Sequence, residues 1–499
     1  MKKVVYVPLD ERPCNYSFCG LIAANNEDIN LVEPKKEDLG DKKIPADYDK
    51  IKAFLLRECG DADYLILAVD MLLYGGIVPS RLHNLSEEEI FSRADFIKTL
   101  KGNNPDLKIF AFSLVMRCPT YSSGDEEPDY YETYGRQIFL YGVNEHKRLD
   151  KAITDVEYEA EKKKLAVPQE YLDDFIARRK VNLAALLHTL KFVGSDIDEF
   201  TILQDDSNPY GFTALDQKTV REFTKNEGID IDVHPGADEG GLTLLSRVLT
   251  KIKGYSPKIR PVYPKEECKN VIPLFEDREV YKSVEAQIKS AGATVTYGDD
   301  ADIYLFCNLP VGEMHNIDKP FGKQYDDRDL PAFVEKAKIL YGQGKAVAIA
   351  DIAYSNGGDV KFAKMLSKEI GLFNLAGYAG WNTSSNTLGT VICQSVFYNF
   401  YGDTPVHRAF TAERVYEDLG YCAYVRKYIW DNELNLLGCT YCDAKERRGA
   451  VAKRAKRLLE EYVGREFPEV YDEYEISDCY MPWKRLFEIG LTVAPHIPR

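Results

Sequence analysis

The chain has 499 residues, of which 45% are hydrophobic and 29% are charged, and 80 acidic against 64 basic residues give a net charge of −16. This length and composition are typical of a globular protein with more than one domain and exclude a disordered chain. The negative charge would repel a phosphate backbone, and no lysine or arginine block offsets it, so nucleic acid is not an expected partner.

Neither the N-terminal residues nor any apolar stretch of the sequence predicts a secreted or membrane location. The first residues contain two lysines and only a short apolar run, which does not fit a secretory signal. No stretch approaches the roughly 20 apolar residues of a membrane-spanning helix. Eleven cysteines are scattered through apolar runs, as reduced, buried thiols are. We therefore expect a cytoplasmic protein, and the sequence does not predict its oligomeric state.

Short runs of β-forming residues alternate with longer helical patterns, which predicts an α/β fold with a mainly parallel sheet or a TIM-like barrel. The predicted strands of the first half are 4–7, 64–69, 108–115, 199–204 and 229–234. Those of the second half are 260–263, 294–297, 302–308 and 346–350. Several are continuous apolar runs, which is typical of parallel strands buried on both faces.

The pattern of elements predicts three parts. Residues 1–255 are expected to form an α/β catalytic domain with a helical insertion at about 130–191, where α/β enzymes often carry a lid. A joint containing glycine and proline at 254–258 predicts a change of domain. A second, smaller α/β domain over 256–403 and a helical C-terminal region over 404–499 are expected to follow.

Ionisable and aromatic residues follow these strands, and sites in α/β proteins form at the carboxyl ends of strands. In chain order, the candidates are Asp10, Glu11, Arg12, Asp70, Arg117, Tyr121, Asp205, Asp206, His234, Asp238, Glu239, Asp351, Trp381 and Asn382. Any one of them alone could be a helix cap or a structural ion pair. Converging carboxylates raise one another's pKa and cost stability, so a fold tends to keep them for catalysis or metal binding.

Asp205 and Asp206 are the sharpest of these features. They come directly after the strand 199–204, where the chain leaves the pleat, so both carboxylates can face one pocket. Such a pair can divide its roles, one carboxyl being protonated as a general acid and the other orienting or stabilising the substrate. The composition Asp-Asp-Ser-Asn-Pro is also typical of a turn, which is the alternative interpretation.

The loop 118–136 is rich in tyrosines and acids. Tyrosine presents a flat apolar face and a hydroxyl, which suits the faces of a sugar, and Trp381 could add a second stacking surface. Alternatively, these tyrosines pack on the helices of the insertion. No GxGxxG or P-loop lies between a strand and a helix, so no cofactor is predicted.

A divalent metal is the alternative to this metal-free site. Asp10, Asp205, His234 and Glu239 offer nitrogen and oxygen ligands of the kind that such an ion prefers. The sequence has only seven histidines and no HxH or HExxH pair, so this pattern is weak.

The motifs at 8–15, 205–211, 234–241 and 379–390 resemble those of a bacterial family known as a domain of unknown function, number 4127. The resemblance covers about residues 1–490 and implies a shared fold and a shared site lined by the motif residues. The consecutive Asp205 and Asp206 are also similar to the aspartate pair of O-GlcNAcase-type hexosaminidases. In that family one aspartate orients the substrate's acetamido group and the next is the general acid.

The leading hypothesis is a hydrolase acting on a glycoside or amino-sugar, either a small molecule or an oligosaccharide. Asp206 is expected to act as general acid/base, and Asp205 to orient the substrate's amide or oxocarbenium-like centre. Hydroxyl or carboxylate groups of the substrate would be held by Arg12, Arg117 and Asn382, and Trp381 and Tyr121 would stack on it. The alternatives are a metal-dependent hydrolase or isomerase and a non-catalytic carbohydrate-binding protein. Neither the substrate nor a retaining or inverting outcome is predicted.

Overall fold

The computed structural model describes residues 1–24, 26–319 and 322–496. The chain divides into two compact units, each built from several segments. Unit 1 comprises Met1–Glu11, Ile29–Gly241 and Phe275–Asp277. Unit 2 comprises Arg12–Asp28, Leu242–Leu274 and Arg278–Arg499. Among the described residues, no helix is both long enough and apolar enough to cross a membrane.

A six-stranded parallel sheet forms the centre of unit 1. Its strands are β1 (Lys2–Val7), β2 (Ile29–Val32), β3 (Tyr64–Ala68), β4 (Lys108–Val115), β5 (Glu199–Gln204) and β6 (Asp232–Pro235). Their order is β2-β1-β3-β4-β5-β6, and every neighbouring pair is parallel. The α/β fold with a parallel sheet is thus confirmed. In the described part of the chain this sheet is open, with β2 and β6 at its edges, so the barrel alternative is not confirmed.

Unit 2 contains a second parallel sheet and two small strand pairs. Its strands are β7 (Lys258–Val262), β8 (Thr294–Val295), β9 (Ile303–Asn308), β10 (His315–Asn316), β11 (Ala346–Asp351), β12 (Tyr354–Ser355), β13 (Gly377–Ala379), β14 (Tyr474–Tyr480) and β15 (Gly490–Pro495). The parallel sheet has the order β13-β11-β9-β7-β8. The short strands β10 and β12 pair in parallel, and β14 and β15 pair antiparallel.

Helices make up much of the remaining chain. They are α1 (Pro13–Ala23), α2 (Tyr48–Glu58), α3 (Val69–Tyr74), α4 (Glu87–Asn103), α5 (Tyr131–Leu149), α6 (Asp155–Lys162), α7 (Gln169–Leu190), α8 (Phe212–Glu227), α9 (Gly240–Lys253), α10 (Val280–Ser290), α11 (Lys323–Asp326), α12 (Leu330–Gly342), α13 (Val360–Glu369), α14 (Ser384–Tyr401), α15 (Pro405–Arg414), α16 (Arg426–Asn432), α17 (Ala450–Glu466) and α18 (Pro468–Glu473). A π-helical stretch, Val415–Val425, links α15 to α16. The chain between β4 and β5 forms α5, α6 and α7.

The two parallel sheets share one winding pattern. In unit 1 the chain runs from β1 to β2 on one side, then crosses to β3 and continues outward to β6. In unit 2 it runs from β7 to β8 on one side, then crosses to β9 and continues to β11 and β13. Open sheets of this kind bind ligands beyond the carboxyl ends of the strands, at the point where the winding reverses. Each unit therefore has its own expected ligand-binding edge.

The C-terminal region is helical, as the sequence predicted, but it also contains two strands that the sequence analysis did not predict. After α18 the chain forms β14 and β15, and β14 alternates buried and exposed residues: Tyr474 and Ile476 are buried, whereas Glu475 and Ser477 are exposed. That alternation is typical of a strand with one covered face. The structure therefore adds an antiparallel pair to the predicted helices.

Candidate active site in unit 1

Asp205 and Asp206 lie in the turn that follows β5. Asp206 has a φ of +41°, in the left-handed region, which aspartate tolerates better than most residues with a side chain. The Asn208 side-chain amide donates a hydrogen bond to the Asp206 carbonyl over 3.3 Å. The segment therefore forms the turn that its composition predicted, and the two aspartates lie within this turn.

Arg81 holds the first of the two aspartates. Its Nη2 donates to Asp205 Oδ2 over 2.7 Å. Its Nη1 donates to Glu126 Oε2 over 3.0 Å and lies 3.3 Å from Glu127 Oε1. The side chain is only 2% exposed, so these charge-assisted bonds form in a largely desolvated environment.

Arg117 holds the second aspartate and shares both glutamates with Arg81. Its Nη1 donates to Asp206 Oδ2 over 3.2 Å. Its Nε donates to Glu127 Oε1 over 2.8 Å, and its Nη2 donates to Glu126 Oε2 over 3.0 Å. Two arginines and four carboxyl groups therefore form one network, which we call the Arg–Asp network: Arg81, Arg117, Glu126, Glu127, Asp205 and Asp206.

Three members of the network were not predicted from the sequence. Arg81 ends the short 3-10 turn Pro79–Arg81, well beyond the end of β3, so a search of strand ends does not reach it. Glu126 and Glu127 belong to the acidic loop that follows Arg117, and that richness in acids was the available signal. Their partners could not be assigned without the fold.

The electrostatics of the network favour a protonated Asp206. Burial raises the pKa of Asp206 to about 7; the Arg117 charge opposes this shift, and the Asp205 carboxyl group adds to it. Nearby, Asp70 accepts hydrogen bonds from Ser113 Oγ over 2.9 Å and from the Leu114 backbone N–H over 3.0 Å. Burial raises the pKa of Asp70 to about 6.

Each aspartate of the pair uses one oxygen within the network and leaves the other accessible. Only Oδ2 of Asp205 and Oδ2 of Asp206 make hydrogen bonds to the described residues. Their side chains are 12% and 13% exposed. In addition, Oε2 of Glu127 is buried and has no hydrogen-bond partner in the described part of the chain. The network therefore retains capacity to bind a ligand.

The tyrosines of the 118–136 loop divide into two groups. Tyr130 stacks on Tyr171 of α7 with ring centroids 4.8 Å apart, Tyr134 lies 5.7 Å from the same ring, and Tyr131 is fully buried. These three pack on the protein, as the alternative interpretation expected. Tyr121 differs because it is 44% exposed and its phenol group interacts electrostatically with Arg117 and Asp206. It is the exposed tyrosine of this loop that adjoins the Arg–Asp network, whereas Tyr131, which also interacts with Arg117 and Glu127, is fully buried.

The remaining candidates in unit 1 are buried: Asp10, Glu11, His234, Asp238 and Glu239. The contacts of Glu11 include a 3.3 Å hydrogen bond from the Lys42 backbone N–H, and Glu239 Oε2 accepts one from the Ala237 N–H over 3.0 Å. His234 Nδ1 lies 2.9 Å from the carbonyl oxygen of Pro235.

No group of three or more His, Cys, Asp and Glu side chains that could hold a metal ion occurs among the residues that the structure describes. The structure thus does not assemble Asp10, Asp205, His234 and Glu239 as metal ligands.

Arg12, Asp351, Trp381 and Asn382 belong to unit 2, so they are described apart from the Arg–Asp network. The Arg12 guanidinium lies 4.3 Å from the centre of the Trp483 ring and 3.7 Å from Glu488. Trp381 is 7% exposed and donates from Nε1 to Thr390 Oγ1 over 3.1 Å. Asn382 has a φ of +49° and donates from Nδ2 to Asn386 Oδ1 over 2.7 Å.

Asp351 ends β11 and is hydrogen-bonded within unit 2. It accepts from Asn308 Nδ2 over 2.8 Å, from the Tyr378 hydroxyl over 2.8 Å and from the Asp359 N–H over 2.7 Å. Burial raises the pKa of Asp351 to about 7, and a nearby Asp418 has its pKa raised to about 7 by the same cause. These carboxyl groups are part of the interior of unit 2.

Comparison with known proteins gives one informative match. Residues 4–492 match the sequence profile of a family described as "Protein of unknown function (DUF4127)". No curated protein matches the chain.

Proposed function

Because the chain belongs to the DUF4127 family, whose function is unknown, we propose from the site itself that it is a hydrolase acting on a glycoside or amino-sugar, with Asp206 as general acid/base. The observation that carries this proposal is the place of Asp206 in the largely buried Arg–Asp network, where Arg117 Nη1 donates to it over 3.2 Å and burial raises its pKa to about 7. An acid of this pKa is part protonated near neutral pH, where it can both give and take a proton.

The pair divides the chemistry of glycoside cleavage. Protonated Asp206 donates its proton to the oxygen of the leaving group, and its carboxylate then accepts a proton from the attacking water. Asp205 is held by Arg81 at 2.7 Å through one oxygen, and its other oxygen orients the substrate's amide or faces the oxocarbenium-like centre.

The charge of the network favours this reaction class over reactions of anionic substrates. Four carboxyl groups face two guanidinium groups. Such an excess of acidic groups stabilises a transition state that develops positive charge and disfavours a phosphorylated or carboxylated group beside the pair. The exposed ring of Tyr121 supplies an apolar face on which a sugar can stack.

The test is hydrolysis of a panel of aryl glycosides, N-acetylhexosaminides included, by untreated and metal-stripped protein. The proposal expects cleavage that survives stripping and is lost in Asp206→Asn. Asp129→Asn is the matched control, because Asp129 is in the same unit and its side chain is fully exposed.

The other results identify the alternatives. Cleavage that is lost on stripping and restored by a divalent ion would assign a metal-dependent hydrolase. Saturable binding of a sugar without turnover of any glycoside would assign a carbohydrate-binding protein. Either result would overturn the role given to Asp206.

A further inference from the structure

A cavity of about 530 Å³ lies entirely within unit 2, at the carboxyl edge of its parallel sheet. Its wall includes residues 260–263, at the carboxyl end of β7, and Tyr297, which follows β8. Tyr281 of α10 and Lys336 of α12 complete it from the flanking helices. The carboxyl end of β7 is where the winding of this sheet reverses, so the cavity occupies the position where open α/β sheets bind ligands.

The cavity is basic although the chain is acidic overall. Four cationic side chains line it, against two glutamates: Arg260, Lys265, Lys269 and Lys336 against Glu266 and Glu285. Arg260 pairs with Asp299 and Lys269 pairs with Glu266. Lys265 and Lys336 form no ion pair with the residues that the structure describes. Two cations therefore line this cavity without an ion-pair partner in the described chain, against the one unpaired carboxylate of Glu285.

Tyr263 adds an unused hydrogen-bonding group to the same wall. Its hydroxyl oxygen is buried, yet within the described ranges it has no hydrogen-bond partner. A buried hydroxyl without a partner costs free energy, so such groups usually have an explanation in a ligand or a water molecule. The hydroxyl, Lys265 and Lys336 offer donors of the kind that bind an anion.

We propose that this cavity binds a small molecule that carries a phosphate ester on a ring. The ammonium groups of Lys265 and Lys336 neutralise the phosphate dianion, the Tyr263 hydroxyl donates to one of its oxygens, and the ring lies against Tyr281 and Tyr297. Lysine acts as a point charge for phosphate, whereas a carboxylate is typically bound by a free arginine fork, and Arg260 is already paired.

The volume leaves room for a ligand larger than inorganic phosphate. Pockets for small molecules occupy about 300–1,000 Å³, and this cavity falls within that range. A sugar phosphate and a nucleoside monophosphate share the chemistry, since each joins a phosphate ester to a ring that can contact a tyrosine face. The site is separate from the Arg–Asp network, so the inference does not depend on the proposed glycoside hydrolysis.

Calorimetric titration of the full chain tests the proposal without an activity assay. The probes are inorganic phosphate, hexose 6-phosphates, nucleoside 5′-monophosphates and the matching unphosphorylated sugars and nucleosides. We expect at least one phosphate ester to bind more tightly than inorganic phosphate, and its unphosphorylated form not to bind. Whichever class of phosphate ester binds more tightly, sugar phosphate or nucleoside monophosphate, identifies the ring that the cavity accepts.

Three variants and a control locate the binding. Lys265→Gln and Lys336→Gln are each expected to weaken the binding by about tenfold or more, because each removes a positive charge beside the phosphate. Tyr263→Phe is expected to weaken it by less, because it removes a hydrogen bond and no charge. Lys338→Gln is the control: Lys338 lies on the same helix but pairs with Glu369 at 2.7 Å, outside the cavity. Absence of binding by every phosphate ester at millimolar concentration, or unchanged binding in Lys265→Gln and Lys336→Gln, would overturn the proposal.

Discussion

Arg117 lies 3.2 Å from Asp206, yet the pKa of Asp206 remains raised to about 7 because burial outweighs the attraction of the guanidinium group. An acid that stays part protonated beside a fixed cation is a feature of sites that move protons. The Arg117 charge lowers the pKa of Asp206, so removal of that charge should raise this pKa further.

The first prediction concerns Asp206→Asn. We expect kcat/KM on an N-acetylhexosaminide to fall by about 10² to 10⁴, the usual contribution of a general acid. The fold should be retained, because asparagine also tolerates the left-handed φ of +41° at this position. The loss should be smaller for a dinitrophenyl glycoside, whose leaving group departs without protonation. An equal loss on both leaving groups, or none, would argue against an acid role for Asp206.

The second prediction concerns the pH profile. The acid form of Asp206 donates the proton, so kcat/KM should decline as the pH rises through about 7. Arg117→Gln removes a charge that lowers this pKa, so the basic limb of the profile should move to higher pH. Arg136→Gln, which removes an exposed arginine at the end of the 118–136 loop, should leave the limb in place. A limb that does not respond to Arg117→Gln would belong to another group.

The third prediction concerns the stability of unit 1. The pKa of Asp70 is raised by burial from 3.8 to about 6, so the folded state keeps a proton that the unfolded state releases near pH 4. The stabilisation from this proton is complete below about pH 4 and is lost as the pH rises to about 6; its full size is roughly 3 kcal/mol.

Asp70→Asn should remove this part of the pH dependence. The amide oxygen can still accept the bonds from Ser113 and Leu114, because both go to one oxygen of Asp70. Urea unfolding at pH 4.5 and pH 7 measures the change, with the exposed Asp129→Asn as control. If both variants keep the pH dependence of the unaltered protein, Asp70 does not hold the proton.

The fourth prediction separates structure from binding at Asn382. Its left-handed φ of +49° and its 2.7 Å bond to Asn386 would both be affected in Asn382→Ala. The free energy of unfolding should fall by about 1 to 3 kcal/mol. We expect KM to remain unchanged, since the proposed site is confined to unit 1. A raised KM with unchanged stability would instead support the substrate-binding role that the sequence predicted.

Most strands of the two parallel sheets could be predicted from the sequence, whereas β2 and β13 could not. The predicted strands 108–115 and 199–204 coincide with β4 and β5, because both segments are rich in aromatic and β-branched residues. Ile29–Val32 and Gly377–Ala379 have too few residues to show a period, and they become strands only because a neighbouring strand supplies their hydrogen bonds.

The candidate site was predictable where it followed a strand end. Arg117, Asp205 and Asp206 were found by that criterion and are joined in one network. Arg81 was not, since its neighbours in sequence say nothing about a partner 124 residues away. Only the tertiary fold brings such distant residues together, so a local sequence pattern cannot predict the pair.

The segments of the two units alternate along the chain, and this has a consequence for biosynthesis. The segment Arg12–Asp28 is translated early but belongs to unit 2, whose next segment begins only at Leu242. Unit 1 can close its sheet after residue 241, whereas unit 2 must wait for the C-terminal segment. A truncation placed between the two sheets would thus yield no intact unit 2, and fragments cut at a single point should not be expected to fold as independent modules.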